Sequence, residues 1–261
     1  MLKDYFTGVY KNRYVLASLV GSDLRSKYRN SLLGVAWSVI TPLGLSLVIG
    51  LVYSVIFGVN PVDFIPTLFA GLNPWLFIST SADGGTMAFI GAEGYIKQTT
   101  VSAQIFPLRV VFVNFINLLY ALTAFFAIYL FMQPGLFGPK MLMVFPGLAI
   151  LFVFCLACAN VSSVINIHIR DFQPLQSLIL QGLFYATPII YPAATLQAKG
   201  FGLVYRLNPF YYMLEVVRTP ILGKTLPSAG VYEVAVFIAA VYFLFSVVLV
   251  MRTRAGIAFK L

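Results

Sequence analysis

Long apolar runs that carry no Asp, Glu, Lys or Arg set the pattern of this chain. They are Asn30 to Val62, Phe64 to Ala82, Val110 to Pro139, Met141 to Ile167, Phe172 to Ala198 and Val234 to Met251. A helix rises about 1.5 Å per residue and a bilayer's hydrocarbon core is about 30 Å thick, so a span needs about 20 apolar residues. Each run meets or nearly meets that length. The pattern therefore predicts six membrane-spanning helices, the second continuing past Asp83 toward Ile90. The expected fold is all-α and polytopic, one transmembrane domain over 1–261, with a cytoplasmic interfacial helix at 1–33, six spans within 34–251 and a cytoplasmic tail at 252–261.

The segments between the runs have patterns of their own. Leu16, Leu19, Val20, Leu24 and Tyr28 recur at intervals of three and four, while Arg25, Ser26 and Arg29 fall elsewhere. That period marks an amphipathic helix, expected to lie in the headgroup layer beside the first span. It is either a plain anchor or a helix that flanks a gate and meets an anionic lipid headgroup. From Ala193 to Tyr232 the chain is moderately apolar but broken by Pro209, Pro220 and Pro227. Leu203–Leu207 and Phe210–Val217 suit short interfacial or re-entrant helices over the outer mouth, too short to span. The second connection, Gly91 to Arg109, is the longest polar piece on its side. The fourth holds the adjacent charges Arg170 and Asp171, either a solvated turn or a contact point for a cytoplasmic partner. Asp83, a carboxylate in or near a span, is a functional candidate unless it lies at the boundary. Pro42 is expected to kink the first span by leaving a carbonyl without its donor.

Composition agrees with a lipid solvent. Hydrophobic residues make up 60% and charged residues 10%, against about 25% charged in soluble domains. Lys and Arg are distributed unequally. Lys3, Lys11, Arg13, Arg25, Lys27, Arg29, Lys97, Arg109, Arg170, Arg252, Arg254 and Lys260 fall on one side. Lys140, Lys199, Arg206, Arg218 and Lys224 fall on the other. The excess marks the cytoplasmic side, which then holds both termini. The net charge of +9 reads as this bias toward anionic membrane lipids. A nucleic-acid partner is not expected, because the basic residues do not line one face of a soluble domain. Charges at Lys3, Asp4, Lys11 and Arg13 interrupt what would be the apolar core of a cleavable signal peptide. Cys155 and Cys158 have no flanking metal-ligand pattern and read as packing residues.

The chain lacks a G-x-x-x-x-G-K-[ST] phosphate loop, an H-E-x-x-H motif and a Cys/His cluster with metal spacing. It also lacks the series of buried carboxylates of an ion-coupled carrier. It is not expected to be an enzyme by itself, and uphill transport would draw its energy from another subunit. Aromatics are abundant, with 24 Phe, 15 Tyr and 2 Trp. Those near the outer ends of the first and fifth spans form either an interfacial belt or a conduit in which sugar rings slide over aromatic faces.

The stretch DLRSKYRNSLLGVAWSVITP at 23–42 resembles the D-L-x-x-R-Y-R-x-S-x-L-G-x-x-W-x-x-x-x-P signature of ABC-2 type permeases of the polysaccharide exporter family, which move O-antigen, teichoic acid or capsular glycans. Arg170-Asp171, then TPIIYP at 187–192 and Asn208-Pro209, resemble a second block of that family, and the O-antigen branch fits best. The resemblance implies a homodimer of six-span subunits above two copies of a separate cytoplasmic ABC ATPase. It implies that this chain holds no cofactor, ATP and Mg²⁺ being bound by the ATPase. It also implies a polyprenyl-pyrophosphate-linked glycan taken from the cytoplasmic leaflet of a bacterial inner membrane. Carried onto this sequence, it makes Arg25, Lys27 and Arg29 candidates for the substrate headgroup and gate, since Arg and Lys suit a pyrophosphate. Tyr53, Phe57, Tyr185 and Tyr191 become candidates for the channel wall, and Gly94, Tyr95, Lys97, Arg170 and Asp171 for ATPase coupling. The alternatives are an ABC-2 permease for a drug or small lipid, and a membrane enzyme or scaffold without transport.

Overall fold

A computed structural model describes residues 1–29 and 31–261, with only the backbone of Tyr28, Ala255, Ala258 and Phe259. Asn30 and the Tyr28 side chain, both part of the patterns above, lie outside the described residues. In chain order the α-helices are α1 (Leu2–Lys11), α2 (Arg13–Tyr28), α3 (Trp37–Phe57), α4 (Pro61–Thr86), α5 (Glu93–Gln98), α6 (Ile105–Met132), α7 (Val144–His168), α8 (Phe172–Ala186), α9 (Ala193–Ala198), α10 (Gly202–Arg206), α11 (Pro209–Leu222) and α12 (Ala229–Lys260). The described residues contain no strand. Five segments are long and apolar enough to cross a membrane: Gly34–Phe57, Pro61–Thr86, Ile105–Met132, Pro139–His168 and Ala229–Arg254. The molecule is a multi-pass helical membrane protein.

The uncharged run from Phe172 to Ala198 does not form one helix. α8 stops at Ala186, and Thr187 is extended (φ −94°, ψ 134°). Pro188 is the reason, because a proline pushes the residue before it out of the helical region. The 15 residues of α8 reach about 22 Å at 1.5 Å each, short of the hydrocarbon core. The absence of charge marked this run as apolar, while the proline decided where the helix ends.

The segment before α3 also differs from the expected single helix, since α1 and α2 are separated at Asn12. Leu16, Leu19 and Val20 are buried, and Arg25, Ser26 and Arg29 are exposed. Tyr5 of α1 is buried against Val247 and Met251 of α12. Asn160 of α7 donates from Nδ2 to the Tyr5 hydroxyl at 3.3 Å and to Ser246 Oγ of α12 at 3.2 Å. The N-terminal segment and the C-terminal half of α12 therefore share one end of the bundle, called here the terminal end.

Helix α7 is the centre, packed against α4, α6, α11 and α12. Between apolar helices in lipid, close packing replaces the hydrophobic effect as the main attraction. The chain provides it with small residues. A Cβ on Gly85 of α4 would meet the Ala159 backbone of α7 at 2.6 Å, and one on Gly147 of α7 would meet the Val216 carbonyl of α11 at 2.1 Å. Met213, Leu214, Val216, Val217 and Ile221 of α11 are buried, so α11 is part of the core as well as the far end. Its start is fixed by Asn208, whose Oδ1 accepts from Phe210 N at 2.9 Å, followed by Pro209 in the first turn.

Candidate functional site

At the terminal end, two connections lie within electrostatic reach of each other. The short helix α5 presents Gly94, Tyr95 and Lys97, all exposed, and the turn between α7 and α8 presents Arg170 and Asp171, also exposed. Lys97 Nζ donates to Glu93 Oε1 at 2.6 Å across one helical turn. That hydrogen bond holds the Glu93 carboxyl below its usual range, helped by the Lys97 charge and by Arg170. Arg170 therefore lies within electrostatic reach of α5, although 76 residues separate it from Gly94 in the sequence. The helix ends beneath are clamped. Asn166 Nδ2 of α7 donates to Thr86 O of α4 at 2.9 Å. Asp83 Oδ1 of α4 accepts from Gln176 Nε2 at 3.3 Å and Ser177 Oγ at 3.0 Å on α8. Asp83 thus ties α4 to the start of α8. A polar, aromatic-bearing surface on clamped helix ends suits contact with a protein partner.

Beside it, Arg25, Lys27 and Arg29 are exposed at the end of α2, with Arg29 as its extended C-cap. Three cations within five residues at the end of α2 favour a phosphate-bearing ligand. Asp23, two residues earlier, makes a bidentate pair with Arg109 of α6 through Nε and Nη2. Arg109 is therefore a strut between α2 and α6. Sequence reasoning places it only by side and misses this pairing, because the two residues are 86 positions apart.

The four aromatic candidates form two separate pairs. Tyr53 and Phe57 of α3 have ring centroids 5.5 Å apart, and Phe57 meets Phe64 of α4 at 6.0 Å. Beyond α8, the Tyr191 hydroxyl donates to the Tyr185 carbonyl at 2.7 Å, while the Tyr185 ring is exposed. Among the described residues no ring contact joins the two pairs. The TPIIYP segment is itself anchored, since Asn208 Nδ2 donates to Thr187 Oγ1 at 2.8 Å and Arg218 Nη1 to Pro188 O at 2.8 Å. Arg218, which the sequence marks only as an external charge, fastens this loop to α11. The last two pieces of the second sequence block, 187–192 and 208–209, are thus in direct contact.

Sequence reasoning also passes over Asn73, Asn114 and Asn117, which with Ser38, Thr41 and Thr80 line a cavity among α3, α4 and α6. Their signal is present in the chain: carboxamides inside apolar runs, with Asn114 and Asn117 three apart on one helix face.

The model of the family described as ABC-2 type transporter matches residues 14–222. The chain is 32% identical over 223 residues to the O-antigen export system permease protein RfbA of Myxococcus xanthus, covering 85% of each chain. It is 27% identical over 216 residues to a protein of the same name from Klebsiella pneumoniae, covering 81% of this chain and 82% of that one. Another Klebsiella pneumoniae protein of that name is 27% identical over 204 residues, covering 77% of each. The matched span runs from α2 through α11 and includes the terminal-end platform, the basic segment and the anchored loop. The chain belongs to the ABC-2 type transporter family.

Proposed function

We propose that this chain is the membrane-spanning permease of an exporter that moves a lipid-linked polysaccharide of the O-antigen type across the bacterial inner membrane, a step of lipopolysaccharide biosynthesis. The reading is carried by its similarity, over most of its length, to three proteins named as O-antigen export permeases. In this reading two copies pair, both termini face the cytoplasm, and a sixth crossing is made by α8 together with the loop that follows it. Two copies of a separate ABC ATPase dock on the surface formed by α5 and the Arg170–Asp171 turn, and they bind the ATP and Mg²⁺. The electrostatic influence of Arg170 on Glu93 supports one docking surface in place of two. Arg25, Lys27 and Arg29 receive the pyrophosphate of a polyprenyl-linked glycan from the cytoplasmic leaflet. Tyr53, Phe57, Tyr185 and Tyr191 line the path once the second copy brings their two pairs opposite each other.

The test is deletion of the gene with complementation, read as surface glycan on immunoblots. Loss on deletion and return with the wild-type chain are expected. The Arg25→Ala/Arg29→Ala double variant is expected to restore assembly without restoring surface glycan. Arg170→Ala is expected to leave ATP hydrolysis running without export. Normal surface glycan in the deletion strain would overturn the reading.

A further inference from the structure

The cavity among α3, α4 and α6 has a volume of about 350 Å³, within the roughly 300–1,000 Å³ typical of small-molecule sites. Its lining from α3 is confined to the first turns of that helix, Trp37 to Leu45, and Lys27 stands at the same end. It therefore opens from the terminal end into the span region, where uncompensated polar groups are costly. Packing between helices accounts for only part of its polarity. Asn117 is used in that way, accepting from Ser38 Oγ at 2.8 Å and donating to Val113 O at 2.8 Å. Asn73 donates only within its own helix, to Phe69 O at 3.0 Å, and Asn114 makes a long 3.4 Å contact to Ser81 Oγ. Among the described residues the carbonyl oxygens of Asn73 and Asn114 have no protein donor, and Thr41 makes no hydrogen bond. Pro42, also in the lining, has no N–H to give the Ser38 carbonyl.

These groups are neutral acceptors and hydroxyls, and carboxamides pair well with ligand hydroxyls. Trp37 adds a half-exposed aromatic face at the rim, on which the C–H face of a pyranose can stack. Lys27, the one cation among the described lining residues, is exposed. We infer that this cavity binds one sugar unit of a glycolipid, the unit next to the lipid phosphate, with that phosphate held near Lys27. The inference rests on the export reading above and adds a site for sugar recognition within one subunit. A phospholipid headgroup fits less well, because its charge would sit among neutral groups with one cation at the edge.

The experiment uses the full chain in phosphatidylcholine nanodiscs with Trp75→Phe, which leaves Trp37 as the only tryptophan and the reporter. The probes are farnesyl phosphate, farnesyl phosphate carrying one glucose or galactose, and phosphatidylglycerol. At least one hexose-bearing probe is expected to bind tenfold or more tighter than farnesyl phosphate. Asn73→Leu/Asn114→Leu is expected to reduce that preference to less than twofold while farnesyl phosphate binding stays unchanged. Asn114→Ala alone, a gentler change, is expected to reduce it partly. Equal binding of all farnesyl probes, full competition by phosphatidylglycerol, or an unchanged preference in both variants would overturn the site. If the sugar preference is absent while complementation restores surface glycan, the site fails and the export reading stands. If the sugar preference is clear while the deletion strain keeps normal surface glycan, the site stands and the export reading fails.

Discussion

Asp23 lies in the stretch that most resembles a family signature, and its structural role is to pair with Arg109. Both side chains are less than one-third exposed, so the pair is partly shielded from water and salt. Asp23→Ala or Arg109→Ala is expected to cost about 1–2 kcal/mol, between a surface ion pair and a buried charged hydrogen bond. The check is thermal stability in detergent, where the exchanged pair Asp23→Arg/Arg109→Asp should recover part of the loss. Glu93 gives a pH prediction. Its carboxyl titrates below its ordinary value, so the Lys97 interaction is fully present above the usual carboxylate pKa of about 4.3 and is lost as the pH falls through the lowered folded value. Protection of the α5 amides, taken relative to the intrinsic exchange rate at each pH, is expected to fall on acidification through that range, and Glu93→Gln should remove that fall. The residue types at these positions were legible in the sequence. Their partners were not, because the ion pair spans 86 positions and depends on two helix ends meeting.

At the scale of elements, five helices are long and apolar enough to cross a membrane, and small residues decided how closely they approach. Gly147 meets the Val216 carbonyl, while Gly182 of α8 has open space around it. Gly147→Ala is expected to push α11 away from α7 and destabilise the chain by about 1–3 kcal/mol. Gly182→Ala should change the melting temperature little, and equal effects of the two would contradict this packing. α8 shows where counting uncharged residues falls short. A proline in an apolar run adds nothing to the charge tally but ends the helix at Ala186. The same break frees 187–192 to form the loop that Asn208 and Arg218 fasten, a contact that only the return of α11 could create.

At the scale of the whole molecule, α3 has the least buried apolar stretch of the five crossing segments. Val48, Val52, Val55 and Ile56 are exposed on it, as suits a helix facing lipid or a second copy. If two copies pair through this helix, Val55→Cys in a background with Cys155→Ala and Cys158→Ala should cross-link into dimers on mild oxidation in membranes. A chain that stays monomeric on denaturing gels would place this face against lipid. What the sequence determined by itself was the solvent and the class: uncharged runs of spanning length admit only helices, because lipid offers no partner for an open backbone. It also carried the family pattern, since Asp23 to Pro42 and 187–209 can be read as strings. The tertiary structure decided which distant groups meet: Asp83 with Ser177, Asp23 with Arg109, Asn208 with Thr187, and the carboxamides of α4 and α6 around one cavity. The physical reason is range. Hydropathy and proline act within a helix, whereas charge pairs and polar cavities arise only where packed helices bring separate segments together.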